Sequence, residues 1–358
     1  MGMKTNQLSI ITRPKKFREV FFQPVVEKEI IPRAISNKWP HAMLLKGSTG
    51  TGKTTVAYLI AMRINCENPS SDGEPCGECL SCKSIREERF DRDTLLLDGS
   101  MFSGKDDIVD FTRIVETSPL YDKNRVLIIE ESDQLSTSAK NSLLKILEKP
   151  IPNTYFILLS MVHNAIPVAI QSRCQVFSFK SFNQKEILYS LKGVLEKINL
   201  WEDERIPKEF KLQGLLEISS YAKGSLREAI QLLEKCLVGK YFTVEEIRKN
   251  LNFYVSSSIY TLLMKMLQKD TSVLHDLGEM QDFMDFFNIS YSALVSAYMY
   301  KITGTSKNEF YISDYKNYIA EKNFELLLKV YKDILENSEN YVKKFYFIHK
   351  LIDEYFNA

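Results

Sequence analysis

The chain has 358 residues, which at ~100–200 residues per domain corresponds to two or three domains. Hydrophobic residues make up 44% and charged residues 26% of the sequence, which excludes a mostly disordered or collagen-like chain. Basic residues number 47 and acidic residues 46, so the protein does not coat nucleic acid through overall basicity, although a local basic face is compatible with this balance.

The N-terminal segment holds only a short apolar stretch, Leu8 to Ile11, whereas a secretory signal needs ~7–15 apolar residues. No apolar run reaches the ~18 residues of a transmembrane helix. We therefore expect no signal peptide and no membrane partner, which predicts a cytoplasmic protein.

Continuous apolar runs in the first half predict buried strands at 42–45, 94–97, 125–129 and 155–159, with helical patterns between them at 54–65 and 138–148. Runs of this kind suit strands covered on both faces, so the pattern predicts a doubly wound α/β domain with a parallel sheet. Beyond Lys180 the strand signals fade and helical spacing takes over. We predict an α/β domain at 1–180, a small helical domain at 181–242 and a helical C-terminal domain at 243–358.

A phosphate-binding loop is predicted directly after the first strand, where the sequence fits G-x-x-x-x-G-K-[ST] and is followed by a helical pattern. Backbone N–H groups of such a loop turn toward phosphate oxygens, and the positive end of the helix dipole adds to the attraction. Lys53 is expected to reach the β- and γ-phosphates, and the Thr54 hydroxyl to bind Mg²⁺. The expected nucleotide contacts are Gly47, Ser48, Thr49, Gly50, Thr51, Gly52, Lys53, Thr54 and Thr55.

Four of the six cysteines lie close together after this helix, namely Cys66, Cys76, Cys79 and Cys82. Cys-x-x-Cys spacing presents two thiolates in the geometry that tetrahedral zinc prefers, and a chain without an export signal rarely builds a disulfide framework. The pattern therefore predicts a structural zinc site, with four unmetallated thiols as the alternative. A catalytic zinc is disfavoured because the segment offers no base to activate water. Cys174 and Cys236 are isolated and are expected to be small core residues.

The third predicted strand ends in two acids, Glu130 and Glu131. In phosphate-loop enzymes one acid at this point holds Mg²⁺ and a second polarises the attacking water. We assign Glu130 to the metal and Glu131 to the water. The alternative is two solvated acids at a strand end, so nucleotide binding is better supported than hydrolysis.

Taken together, the motifs resemble bacterial DNA polymerase III clamp-loader subunits, most closely the gamma/tau type with delta-prime as the near neighbour. The resemblance rests on the phosphate loop, the four-cysteine insertion and further segments in the family's order and spacing. These further segments are Arg13 to Val20, Asn141 to Pro150, Ser172-Arg173-Cys174 and Gly224 to Ala229. The match is good from about residue 10 to residue 240 and weak beyond.

The resemblance implies an AAA+ fold with a helical lid and a helical collar. It also implies an ATPase of the DNA-directed DNA polymerase III holoenzyme in bacterial cytoplasm, associated with the nucleoid. Its cofactors would be ATP, Mg²⁺ and structural Zn²⁺. Its partners would be delta, delta-prime and further gamma/tau copies in a pentamer, the sliding clamp that this pentamer opens, and primed DNA on which the clamp is placed.

The resemblance also assigns roles to single residues. Arg173 would be the arginine finger that reaches the ATP of a neighbouring subunit, where a guanidinium offsets charge building on the γ-phosphate. Ser160 aligns with the sensor-1 position, and Arg227 with sensor 2 on the lid. Arg13 and Pro14 would lie near the adenine.

Lys145 sits in the matching Leu-Leu-Lys segment and is expected to contact the DNA backbone. For Lys105, a DNA contact and an ordinary surface lysine are about equally supported.

Three departures from the family pattern keep other interpretations open. Glu130 replaces the usual Asp, Phe22 replaces the Gly before Gln23, and residues 161–163 replace a polar run. They allow a delta-prime-like subunit that binds nucleotide but hydrolyses it poorly. An unrelated AAA+ remodeller or helicase loader is a third interpretation, which the four cysteines and the Ser-Arg-Cys motif disfavour.

Overall fold

The structure is a computed structural model that describes residues 8–101, 115, 117–161, 166–251, 256–279, 283–303, 322–337 and 343–356. The chain divides into two compact units, Met1–Ile247 and Arg248–Ala358. Each unit is presented below by itself.

The first unit is built on a five-stranded sheet in which all neighbouring strands are parallel. The strands are β1 (Ala42–Lys46), β2 (Thr94–Asp98), β3 (Arg125–Glu130), β4 (Thr154–Ser160) and β5 (Gln175–Ser178). Their order across the sheet is β2-β3-β4-β1-β5. The four strands predicted from apolar runs are present, and the predicted parallel sheet is confirmed. The fifth strand was not predicted because its four residues include only one fully buried side chain, Phe177.

Helices cover both faces of this sheet and continue after its last strand. They are α1 (Leu8–Ile11), α2 (Ile31–Ser36), α3 (Lys53–Asn65), α4 (Leu80–Arg86), α5 (Thr137–Glu148), α6 (Val168–Gln171), α7 (Gln184–Lys197), α8 (Leu215–Tyr221), α9 (Leu226–Gly239) and α10 (Val244–Asn250). Single turns of 3-10 helix lie at Phe17–Glu19, Gly99–Met101 and Ser132–Gln134, and π-helical turns at Val26–Ile30 and Phe210–Gly214.

Two apolar cores form because successive residues of a strand point to opposite faces. On one face Met43 and Leu45 of β1 pack with α3, which is buried nearly all round. On the other face Ala42 and Leu44 pack with α5, whose buried residues recur at helical spacing. The phosphate-loop helix is thus held on one side of the sheet and the Leu-Leu-Lys helix on the other.

Helices α7, α8 and α9, which follow β5, belong to the same unit as the sheet. Helix α7 begins with a capping box, in which the Asn183 side chain accepts from Glu186 N–H and the Glu186 side chain accepts from Asn183 N–H. Ser225 caps α9 in a similar way by accepting from Glu228 N–H. The predicted domain boundary near residue 181 stays a prediction.

The second unit consists of helices within its described residues. They are α11 (Ser256–Leu267), α12 (Ser272–Glu279), α13 (Phe283–Thr303), α14 (Lys322–Asn337) and α15 (Lys343–Lys350), and a π-helical turn follows at Leu351–Phe356. Its core is aromatic: Phe287 stacks on Tyr331 with ring centroids 4.9 Å apart, and Phe347 meets Tyr331 edge-on at 4.8 Å. Among the described residues, no helix combines the length and hydropathy that crossing a membrane requires.

Candidate nucleotide site and cysteine cluster

The phosphate loop joins the end of β1 to the start of α3, as its motif requires. Two glycines are needed for reasons of space as well as conformation. A Cβ on Gly47, whose φ is +155°, would lie 2.5 Å from the Phe179 carbonyl oxygen. A Cβ on Gly50, at φ +73°, would overlap the Ser225 hydroxyl at the start of α9. The phosphate loop therefore packs against Phe179 on one side and against Ser225 on the other.

The ammonium of Lys53 is turned into the loop, where its Nζ donates to the carbonyl oxygens of Gly47 and Ser48 at 2.7 Å each. The side chain is buried, and this burial lowers the pKa of Lys53 to about 8, with the negative charge of Asp133 opposing the change. Lys53 thus lies in the concavity that the loop forms, which is the position from which it could meet a phosphate.

Glu130, the first of the two strand-end acids, lies where the phosphate-loop helix begins. Thr54 Oγ1 donates to Glu130 Oε1 at 2.9 Å, so the two residues expected to hold Mg²⁺ are in contact. Hydroxyl and carboxylate oxygens are the ligands that Mg²⁺ prefers, and the pair therefore fits this ion. Glu131 is exposed and adopts a left-handed backbone at φ +46°.

Ser160 and Arg227 approach the loop from two other elements. Ser160 is the last residue of β4, is almost fully buried, and accepts from Gly47 N–H through its carbonyl at 3.2 Å. Leu226 N–H donates to the Gly50 carbonyl at 3.1 Å, which places the exposed Arg227 beside the loop. The structure thus brings both sensor candidates to the phosphate loop.

Arg13 lies over the ring of Tyr58, 5.3 Å from its centroid, and pairs with Glu88. Tyr58 lies on α3, one helical turn beyond Thr54. Pro14, the residue after Arg13, is half-buried. The segment that the resemblance assigns to the adenine therefore borders the first turns of the phosphate-loop helix.

The remaining arginine and lysine candidates lie elsewhere. Arg173 Nη2 donates to Glu148 Oε1 at 2.9 Å, and its Nη1 donates to the Ala169 carbonyl at 2.7 Å. Lys145 is exposed on α5, on the face opposite its buried leucines. Lys105 lies outside the described residues.

The four clustered cysteines converge as a group. The Sγ atoms of Cys66, Cys76, Cys79 and Cys82 all lie within 4.8 Å of one another, and Cys76 and Cys82 are 4.0 Å apart. Four sulfurs around zinc at ~2.3 Å would be ~3.8 Å apart, so the arrangement fits a tetrahedral structural site.

Thiol acidity in the cluster is set by burial and by backbone donors. Burial raises the pKa of Cys66 and of Cys82. Burial also acts to raise the pKa of Cys76, but the N–H groups of Cys79 and Glu78 outweigh it and bring the value to about 7. Burial raises the pKa of Cys174 and of Cys236 to about 12 each, as expected of inert thiols. Cys236 is a buried core residue, whereas Cys174 is half-buried against the edge of a core cluster.

Two buried polar residues at the site were not predicted. Gln23 donates to the carbonyls of Thr51 and Lys180 at 3.1 and 2.8 Å, which ties the phosphate loop to the chain after β5. Asp133 accepts from Met161 N–H at 3.1 Å and so links the turn after β3 to the end of β4. Their only sequence signal is a polar residue beside a motif, which does not reveal a partner more than twenty residues away.

A parallel sheet with a complete phosphate loop after β1, and a Thr–Glu pair between that loop and the end of β3, defines a P-loop nucleotide-binding α/β protein. A family model described as "DNA polymerase III, delta subunit" matches residues 22–183. The tau subunit of DNA polymerase III from Bacillus subtilis is 34% identical over 236 residues. The gamma subunit from Buchnera aphidicola subsp. Acyrthosiphon pisum is 30% identical over 264 residues. The chain belongs to the gamma/tau family of DNA polymerase III clamp-loader subunits.

The extent of these matches differs. The Bacillus alignment covers 66% of this chain and 40% of the relative, and the Buchnera alignment covers 72% and 70%. Among solved structures, the RuvB Holliday junction branch migration motor of Thermotoga maritima has a TM-score of 0.49 at 17% identity, covering 80% of this chain and 92% of that one.

Proposed function

We propose that this protein is an ATP-hydrolysing clamp-loader subunit of the gamma/tau type, which takes part in placing a sliding clamp on primed DNA during replication. The observation that carries the proposal is the contact of Thr54 with Glu130 beside Lys53, on a chain of the gamma/tau family. Lys53, Thr54 and Glu130, which would bind a nucleoside triphosphate and its Mg²⁺, lie together at one edge of the sheet.

Each group has a chemical task in this proposal. Bound phosphate would replace the carbonyl oxygens of Gly47 and Ser48 as the partners of Lys53. Thr54 and Glu130 would hold the magnesium ion, which supplies charge neutralisation at the β- and γ-phosphates. Glu131 would accept a proton from the attacking water, and its exposed carboxylate is compatible with that task.

The proposal extends to an assembly. Ser160 and Arg227 would respond to the γ-phosphate from the sheet and from α9, since both elements already contact the loop. Arg173 would leave Glu148 and reach the nucleotide of a neighbouring subunit. The partners would be further loader subunits, the clamp and primed DNA, with Lys145 facing the DNA backbone, and the setting would be the bacterial cytoplasm. Structural zinc at the cysteine cluster belongs to the same proposal, as do the lid and collar roles of the helical regions.

A second candidate is a delta-prime-like subunit that binds nucleotide without turning it over. Glu130 favours it, because a Glu is one methylene longer than the usual Asp and alters where a metal ion sits. Such a subunit would still supply Arg173 to a neighbour.

Clamp loading tests the function directly. The purified chain is mixed with the other loader subunits, labelled sliding clamp, ATP and a primed circular DNA, and the clamp retained on the DNA is measured by gel filtration. We expect retention that requires this chain and is lost with Lys53→Ala and with Arg173→Ala. Retention without the chain contradicts the proposal, whereas retention with Lys53→Ala but not with Arg173→Ala selects the delta-prime-like role.

A further inference from the structure

The cysteine module, defined here as residues 66–88, holds the Arg13–Glu19 segment through a buried carboxylate. Glu74 is 5% exposed and accepts from Phe17 N–H at 2.7 Å and from Arg18 N–H at 3.1 Å. These two N–H groups open a single 3-10 turn and have no helical partner of their own. A charged acceptor on two such donors is a strong contact, because it satisfies both groups away from water.

A second carboxylate of the module holds the other end of the same segment. Glu88 pairs with the guanidinium of Arg13, which also lies over the Tyr58 ring. Glu88 follows α4, the helix that carries Cys82, and its N–H donates to the Ile85 carbonyl. The position of Glu88 therefore depends on the helix that the cysteine cluster fixes.

The module itself is fastened to the core. A Cβ on Gly73 would lie 2.6 Å from the Ile35 nitrogen, so the loop before Cys76 lies directly on the backbone of α2. Phe17, Cys66 and Cys82 belong to one buried cluster. Disorder at the cysteines would therefore displace Glu74 and Phe17.

The held segment leads to the phosphate loop. Gln23, four residues beyond Glu19, donates to the Thr51 carbonyl inside the loop. On its other side Lys197 of α7 donates to the Thr12 carbonyl at 3.3 Å. The segment therefore runs between the cysteine module, the phosphate loop and the helices after β5.

We propose that the cysteine module positions the Arg13–Glu19 segment for the base of the nucleotide, with Glu74 and Glu88 as positioning residues. Occupancy of the cysteine cluster by zinc then sets the affinity for ATP, although no cysteine touches the nucleotide. This inference rests on the proposed function, in which Arg13 and Pro14 lie beside the adenine.

The test compares two ligands of the full chain by calorimetry in Mg²⁺ buffer: ATP, and inorganic triphosphate, which has no base. We expect Glu74→Gln to weaken ATP binding roughly tenfold, because a charge-assisted pair of hydrogen bonds is lost, and to leave triphosphate binding unchanged. Glu88→Gln, an exposed position that does not threaten folding, should weaken ATP binding about threefold. Glu87→Gln is the matched control, since Glu87 pairs with Arg89 instead, and should change neither ligand.

Zinc removal supplies an independent arm. The chain is analysed for zinc, stripped of metal with a chelator and returned to Mg²⁺ buffer. We expect about one zinc per chain before stripping. We expect the stripped chain to bind ATP roughly tenfold more weakly and to bind triphosphate as before. Equal weakening of both ligands, or unchanged ATP binding in Glu88→Gln and in the zinc-free chain, overturns the inference. Wild-type protein that binds neither ligand overturns the proposed function itself, so the two failures are distinguishable.

Discussion

At the residue scale, the polar side chains around the phosphate loop have hydrogen-bond partners within the protein. Lys53 donates to two loop carbonyls, and Thr54 donates to Glu130. These contacts satisfy buried groups that would otherwise be costly. In the proposed function, a nucleotide would therefore take the place of partners of side chains that the fold already holds in position.

Asp93 shows how one buried carboxylate fixes a loop. It is 4% exposed and accepts from the N–H groups of Leu120, Tyr121 and Asp122, as well as from Arg125 at 3.3 Å. Burial acts to raise the pKa of Asp93, but the hydrogen bonds outweigh it and the pKa lies below its ordinary value. A carboxyl whose folded-state pKa is lowered stabilises the fold above its ordinary pKa, and this contribution is lost as pH falls through the lowered value.

We predict that Asp93→Asn lowers the free energy of unfolding by about 2 kcal/mol at pH 7, because an amide places a donor against donors and removes the charge. This decrease in the free energy of unfolding should become smaller as the pH falls below the ordinary carboxyl pKa. Urea unfolding at pH 7 and pH 3 measures both effects. Asp91→Asn is the control, because the Asp91 carboxylate is exposed to solvent and its replacement should change the free energy of unfolding far less. Equal effects of the two substitutions at pH 7 would refute this account of Asp93.

At the element scale, the sequence predicted those features whose signal lies in residues that are close together along the chain. Strands β1 to β4 were predictable because each is a continuous apolar run, and the phosphate loop and the cysteine cluster because their residues are close in sequence. Strand β5 was missed because only one of its four residues, Phe177, is fully buried and it therefore forms no apolar run. The contacts of Glu74 with Phe17 and of Gln23 with Thr51 join distant residues, so they depend on topology that no local pattern encodes.

Helix α5 is amphipathic, and its exposed face is the one assigned to DNA. Ala139, Leu143 and Leu147 are buried against the sheet, which leaves Lys145 pointing to solvent. Ser136 caps the helix by accepting from Ala139 N–H at 3.2 Å. The lysine is therefore carried on a fixed element and does not lie on a loop.

We predict that Lys145→Ala weakens binding of the assembled loader to primed DNA and reduces the slope of log K against log salt by about one, because one phosphate contact is lost. Fluorescence anisotropy at several salt concentrations gives the slope. Lys192→Ala on α7 is the control, since Lys192 pairs with Glu196 on the surface. A slope that does not change would show that Lys145 is an ordinary surface residue.

At the scale of the whole molecule, the proposed function has Arg173 of this chain act at the nucleotide of a neighbouring subunit. Arg173 is bound to Glu148, the last residue of α5, and the proposed trans role requires this half-exposed surface pair to open. Surface pairs of this kind are worth ~0–1 kcal/mol, so a phosphate on a neighbouring subunit would readily displace the carboxylate.

We predict that Arg173→Ala lowers ATP hydrolysis by the assembled loader about 10³-fold, the range of an arginine finger, while ATP binding by the isolated chain is unchanged. Glu148→Gln removes only the resting partner and should retain hydrolysis. Turnover assays on assemblies and calorimetry on the single chain separate the two effects. Loss of ATP binding by Arg173→Ala would contradict a role in trans.

The central claim is that this chain is a motor subunit, and steady-state ATP hydrolysis tests it most directly. Turnover is measured for the chain alone and with sliding clamp, primed DNA and the other loader subunits, beside Glu131→Gln. The account predicts turnover that is stimulated in the full mixture and lost in Glu131→Gln although ATP still binds, which would show that Glu130 in place of the usual Asp permits hydrolysis. Tight ATP binding without turnover in any mixture, or equal turnover in Glu131→Gln, would contradict it.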